Sequence, residues 1–245
     1  MHLAKLHKLI GFTFFCIAML LQFGCHPAAS GKADLIVKKT TDFTIDGTGS
    51  ASQWSTTEWN TINTLPDYFS PYQTSFKLLY SGKGLYVLFT CTDSILTNTI
   101  QEDGKALYTE DVIEIFLQPD TSVSHYFEYE LSPLGFETPL LIYNYKGELN
   151  SWQPFESKEP RKIQHATQLL NGYKAPGATV TGWTAECFIP FELLRPLGGA
   201  NPESGKRWKA NLYRIDYDKG EALWTWKKNS GNFHEFQHFG TIEFE

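Results

Sequence analysis

Tyr108-Thr109-Glu110-Asp111-Val112-Ile113-Glu114-Ile115-Phe116-Leu117-Gln118, followed after a six-residue linker by His125-Tyr126-Phe127-Glu128-Tyr129-Glu130-Leu131-Ser132-Pro133-Leu134-Gly135, decides the fold of this chain. Both segments alternate with a period of two, the repeat of an extended strand. Ile113, Ile115 and Leu117 share one face, and Glu114 and Phe116 the other. In the second segment Phe127, Tyr129 and Leu131 share a face, opposite Tyr126, Glu128 and Glu130. The linker Pro119–Ser124 is made of turn residues, so the pair reads as a β-hairpin. One face is apolar. The other mixes carboxylates with aromatic rings, and that combination suits a hydroxyl-rich ligand: acids accept hydrogen bonds from hydroxyls, and rings cover apolar C–H faces.

Composition agrees with a sheet protein. The 245 residues are 42% hydrophobic and 15% aromatic, with seven Trp, twelve Tyr, eighteen Phe and only two Met. That richness in rings favours strands over helices, and the length allows one large all-β domain or two small ones. The net charge of −6, with no basic stripe, excludes nucleic acid as a partner. A haem-binding electron carrier would need axial ligands on facing strands, and Met is too scarce to supply them.

The first residues read as a targeting segment. Lys5 and Lys8 precede an apolar run from Leu9 to Leu21, shorter than a membrane span. The run ends in Leu21-Gln22-Phe23-Gly24-Cys25, which resembles a bacterial lipoprotein signal with Gly before the Cys that is lipidated; here Gln22 stands where Leu is usual. The alternative is secretory cleavage near Ala28-Ala29-Ser30. The expectation is residues 1–24 as signal peptide, 25–40 as tether and 41–245 as one domain. The protein is then anchored in the bacterial cell envelope by lipid at Cys25, in the outer membrane or facing the periplasm. Without lipidation it is secreted. Cys91 and Cys187, each in an expected strand, form one disulfide or remain two buried thiols.

Outward from the hairpin, the turn Ser81-Gly82-Lys83-Gly84 joins strands at Ser75–Tyr80 and Leu85–Thr92. Further strands are expected at Phe43–Gly47, Thr138–Tyr145, Thr179–Phe188 (stopped by Pro190), Arg207–Tyr217, Ala222–Trp226 and Phe239–Phe244. Ser52–Glu58 and Phe191–Leu194 read as short helical turns, and 60–73 and 146–162 as loops. Many strands and no long helix predict an all-β protein, a β-sandwich with at most short helical turns.

Five stretches in order carry a resemblance: Ile45-Asp46-Gly47 with Trp54; Leu85–Phe89 with Asp93; Tyr108–Phe116; Trp183–Phe191; and Trp208–Arg214 leading to Asn232–Gly240. Together, over residues 43–245, they resemble the family 9 carbohydrate-binding modules and their family-9-like relatives in the wider DOMON-like superfamily. The resemblance implies a jelly-roll-like, DOMON-like β-sandwich that binds carbohydrate without catalysis and supports polysaccharide degradation. In the family's founding members, attached to glycoside hydrolases, two Trp rings clamp the end of a sugar chain and a nearby Glu bonds it. Tyr108 and Phe233 occupy the clamp positions here, and Glu114 matches the Glu. Glu128 and Glu130 stand where the family has an Arg and an Asn, so a positive donor has become an acid.

The expected carbohydrate site is therefore Tyr108, Glu114, Glu128, Glu130 and Phe233. Each residue has a plainer reading. Tyr108 packs a rim, and Phe233 plugs a loop. The three glutamates form a Ca²⁺ site or a solvated face with interleaved basic residues. Trp152 is a third platform or a loop anchor, and at least one of Trp224 and Trp226 is core. Glu186 reads as an ion-pair partner of Arg214. His234 and His238 read as hydrogen-bonded structural residues rather than metal ligands. No resident cofactor is expected; the partner is an oligo- or polysaccharide, the membrane is reached through the lipid alone, and the state is a monomer. The alternatives are a glycoside hydrolase or a fragment of one, using paired carboxylates, and an interaction protein that has lost the sugar site.

Overall fold

A computed structural model describes residues 31–155 and 158–245. The expected signal peptide and Cys25 lie outside the described residues. From Ala33 the chain is one unit, built from two layers of strands.

The first layer runs β8 (Glu148–Pro154), β7 (Glu137–Tyr145), β6 (His125–Leu131), β5 (Val112–Gln118), β11 (Arg207–Asp216). The far edge of β11 is shared by β12 (Ala222–Thr225) and β13 (Gly240–Phe244). The second layer runs β2 (Asn60–Thr64), β3 (Thr74–Tyr80), β4 (Gly84–Thr92), β10 (Gly182–Pro190), β9 (Gln164–Leu170). Two strands join the layers: β2 also pairs with β12, and β1 (Leu35–Lys39) lies parallel to both β13 and β3. The result is the β-sandwich expected from sequence.

The alternation of the hairpin sorts its side chains as read. Ile113, Ile115, Leu117, Phe127, Tyr129 and Leu131 point into the main core with Phe76, Val87, Phe89, Trp183 and Leu212. In the linker Asp120 Oδ1 accepts the Ser122 N–H at 2.9 Å, and Gln118 Nε2 donates to the Val123 carbonyl at 2.7 Å. These local bonds hold the turn and hence the register. In the β3–β4 hairpin Gly84 is required: a Cβ there would stand 2.5 Å from the Ile189 carbonyl of β10.

Several boundaries differ from the sequence reading. Residues 35–39, read as tether, are β1, which fastens the two layers. Phe43–Gly47 is not a strand. It is an irregular crossing stapled by Glu186, which accepts from the Asp46 and Gly47 N–H groups and from Trp54 Nε1 at 2.9, 2.6 and 2.7 Å. Glu186 is therefore not the partner of Arg214. The loops expected at 60–73 and 146–162 contain β2 and β8, whose polar residues lack clear alternation. β10 continues through Pro190 because β9 ends opposite Phe188, so the missing N–H falls beyond that neighbour. The helical turns at Ser52–Thr56 and α1 (Phe191–Leu194) form as expected. Cys91 and Cys187 are buried free thiols.

Candidate functional site

The outer face of the first layer is concave and holds a second apolar cluster, including Val112, Phe116, Tyr126, Leu140, Ile142, Tyr213, Ile215 and Phe233. A cavity of about 360 Å³ opens there, at the lower end of the usual range for small-ligand sites, roughly 300–1,000 Å³.

Tyr108, Glu114, Glu128, Glu130 and Phe233 all line this one cavity, although far apart in sequence. Strand register explains the acids. Glu114 of β5 lies directly opposite Glu130 of β6, and Phe116 opposite Glu128. Residues paired across antiparallel strands share a face. On β7 Thr138 and Leu140 stand opposite Glu130 and Glu128 and extend the floor. On β11 Tyr213 stands opposite Glu114.

The three glutamates are buried, which removes the reading of a solvated, charge-interleaved face. Burial sets their protonation. Glu114 is pushed well above the ordinary carboxylate range by desolvation and then by the charge of Glu130. Glu128 is raised likewise, by desolvation, Glu114 and Glu130. Glu130 rises to about 7, desolvation being opposed by a hydrogen bond with Glu128 and by the Tyr108 and Leu107 N–H groups. The Tyr108 N–H donates to Glu130 Oε2 at 3.1 Å. Glu128 and Glu130 are close enough to act on each other's protonation, while Glu128 Oε2 has no hydrogen-bond partner.

The rings divide into rim and wall. Tyr108 is 52% exposed on a 3-10 turn (Leu107–Thr109), held by Tyr217 Oη donating to its carbonyl at 3.1 Å. Phe233 is only 9% exposed. One face is stacked on Tyr213, with ring centroids 4.0 Å apart and planes at 14°. It forms a wall of the cavity, backed by Tyr213, where the expectation had a free-standing clamp ring. The exposed ring on the opposite rim is Trp152, 57% exposed, on the edge strand β8 opposite Ile142.

His234 closes the remaining side. Its Nδ1 is 2.8 Å from Tyr126 Oη, and its carbonyl accepts from Asn144 Nδ2 at 2.6 Å. Burial lowers its pKa to about 4, so it stands neutral beside Glu128, 3.9 Å away. Sequence reading left Trp152 as a third platform or a loop anchor and assigned His234 only a structural role; the structure puts both on the cavity. The continuation of the face along Leu140, Ile142 and Asn144 was the legible sign that β7 and its neighbour belong to the site.

The three glutamates are not the group whose spacing suits a metal. Among the described residues that spacing occurs at Asp93, Asp111 and Asp216, all buried. There Arg214 supplies the positive charge, with Nη2 donating to Asp93 and Asp216 and Nη1 to the Thr92 carbonyl at 2.7 Å. Arg214 and the acids form an internal ion cluster between the layers. Trp224, buried, lies 4.9 Å beneath the guanidinium; Trp226 is half-buried against the main core.

The family described as carbohydrate family 9 binding domain-like matches residues 45–245. No curated protein matches the chain. A candidate carbohydrate-binding protein from Bacteroides uniformis superposes with a TM-score of 0.71 at 16% identity, over 86% of this chain and 98% of that one. A family 9 carbohydrate-binding module from Caldicellulosiruptor kristjanssonii in complex with cellotriose superposes with a TM-score of 0.62 at 19% identity, over 86% and 93% of the two chains. Its complex with glucose gives 0.61 at 19% identity, over 86% and 95%. At these identities the likeness concerns the fold.

Proposed function

The chain belongs to the carbohydrate family 9 binding domain-like family, a family of non-catalytic binding domains, and from that membership we propose that the cavity on its outer sheet face holds a sugar unit of an oligo- or polysaccharide. The observation that carries this reading is one cavity with two exposed rings, Tyr108 and Trp152, over a floor of buried carboxyls. Rings on the rim take the C–H face of a pyranose, and Glu114, Glu128 and Glu130 offer hydrogen-bonding oxygens to its hydroxyls. The relatives' ligands, glucose and cellotriose, make cello-oligosaccharides the first ligands to test.

Trp152→Ala and Tyr108→Ala should each weaken binding about tenfold or more, since stacking on an aromatic ring supplies about 1–3 kcal/mol in the comparable case of nucleobases. Both side chains are exposed, so the fold should persist. Titration calorimetry with cellotriose measures the effect. Unchanged affinity in both variants would remove the cavity as the sugar site.

The same reading extends to location. Lys5, Lys8, the apolar run and Gly24-Cys25 support export with lipid at Cys25, placing the binding domain at the cell envelope where it supports polysaccharide degradation. Cys25→Ala should move the protein from the detergent-extractable membrane fraction to the soluble one. A single acyl chain binds membranes only marginally, so firm anchoring requires the several chains of a lipoprotein. If the variant pellets with membranes as before, lipidation at Cys25 is wrong.

A further inference from the structure

Resting on the carbohydrate reading of this cavity, we infer that its preferred ligand is an amino sugar with a free ammonium group, held by Glu114, Glu128 and Glu130. The floor presents three carboxyls with no basic partner. Among the described residues lining the cavity, the basic side chains are His234 and Lys105. His234 is neutral, and Lys105 is exposed on the rim and paired with Glu102 at 3.3 Å. The other titratable groups facing the floor are phenols: Tyr126 of β6, Tyr213 of β11 and Tyr217 just beyond it, with Tyr108 on the rim. Burial raises Tyr126, Tyr213 and Tyr217 further, so these three carry no charge at neutral pH.

One buried atom and one neighbouring acid favour a donor from outside. Glu128 is 5% exposed, and its buried Oε2 has no hydrogen-bond partner. Glu114 receives no hydrogen bond from any described residue, and only burial and the charge of Glu130 act on it. Buried polar groups are otherwise almost always paired. A hydroxyl can donate to these oxygens, but it cannot offset the charge they would carry on losing their protons. An ammonium does both, with three donors that match three converging carboxyls. The apolar wall formed by Leu140, Ile142 and Phe233 and the rim rings accept the rest of the pyranose, as for a neutral sugar.

The inference carries a proton signature. In the empty cavity the acids keep protons because nothing compensates their charge. An arriving ammonium compensates it, and a proton leaves to the buffer. The full-length protein is titrated calorimetrically with the β-1,4-linked trimer of glucosamine, with its N-acetylated counterpart and with cellotriose. The pH is set at about 6, below the usual range of amines, in two buffers of different ionisation enthalpy. The glucosamine trimer should bind about tenfold or more tighter than either neutral trimer, with a buffer-dependent heat reporting proton release, and its advantage should shrink as salt is raised. Glu128→Gln, which keeps shape, should bring the ratio between glucosamine trimer and cellotriose close to one. If that variant fails to fold, the two-buffer comparison on the unaltered protein still decides. Cellotriose binding as tightly as the glucosamine trimer, or glucosamine binding without proton release, overturns this inference and leaves the carbohydrate reading standing. No binding of any trimer overturns both.

Discussion

Arg214→Leu is expected to destabilise the domain by about 3–5 kcal/mol, the cost of removing one partner from a buried ion cluster. Arg214 is fully buried between the layers, paired with Asp93 and Asp216 and packed between Trp224 and Tyr72 at 4.9 and 5.6 Å. Its Nη1 also donates to the Thr92 carbonyl and to Thr74 Oγ1 of the opposite layer, so one side chain of β11 ties the two sheets together. Leucine leaves two acids without their cation and Asp111 close by. Against a typical total stability of about 5–15 kcal/mol, the loss is large. Urea unfolding measures it. Adding Asp93→Asn and Asp216→Asn to Arg214→Leu should recover part of the loss, because the orphaned charge is then gone. A loss below about 1 kcal/mol in the single variant would mean that the cluster does not bind the layers.

The second large effect is a stability that falls as pH rises from acid to neutral. Buried carboxyls dominate its sign. Asp111 is raised to about 7 by desolvation and by the neighbouring Asp216 and Asp93. Asp93 is raised to about 6 by desolvation against the pull of Arg214. Glu130 is raised to about 7. Between their ordinary values, 3.8 for Asp and 4.5 for Glu, and these raised ones, the native state holds protons that the unfolded chain has released. Stability from these groups is complete below the ordinary values and is lost as pH rises through about 6 to 7. One pKa unit corresponds to about 1.4 kcal/mol, so Glu130 alone contributes on the order of 3 kcal/mol. Exposed carboxylates whose pKa is lowered, such as Asp42 hydrogen-bonded to Lys83, act in the opposite direction only at pH below their ordinary value, and buried His234, lowered from 6.5 to about 4, opposes the trend between those values as one group against the several raised carboxyls. Melting temperature followed from about pH 4.5 to 8 should therefore decline, and Glu130→Gln should flatten the decline. A melting temperature that rises across this range would show that these acids are charged in the folded protein.

How much of this was legible in the sequence depends on how local its cause is. Period-two alternation in 113–117 and 127–131 assigned those side chains to core or outer face correctly, because side-chain direction along a strand depends only on the pleat. The Gly-containing turn at 81–84 and the short turn at 191–194 were legible for the same reason. β1, β2 and β8 were not. Their residues are largely polar and lack a clear alternating signal, and they are strands because neighbours offer hydrogen bonds. Phe43–Gly47 shows the reverse case: a strand-like run becomes an irregular crossing because Glu186, 140 residues away from Asp46, draws in its N–H groups.

The all-β class, the hairpin at the centre of the site and the clustering of Glu114, Glu128 and Glu130 on one face could be read from the residues alone, since each follows from alternation and a short turn. Packing across the fold is what buries these acids and raises their pKa values, because desolvation depends on what covers a face. It alone brought Trp152 onto the rim, through the pairing of β8 with β7, and turned Phe233 against Tyr213 as a wall. It also gave Arg214 to Asp93 and Asp216 rather than to Glu186. Ion pairing and stacking are decided by distances across the fold, and a single chain of residues does not state those distances.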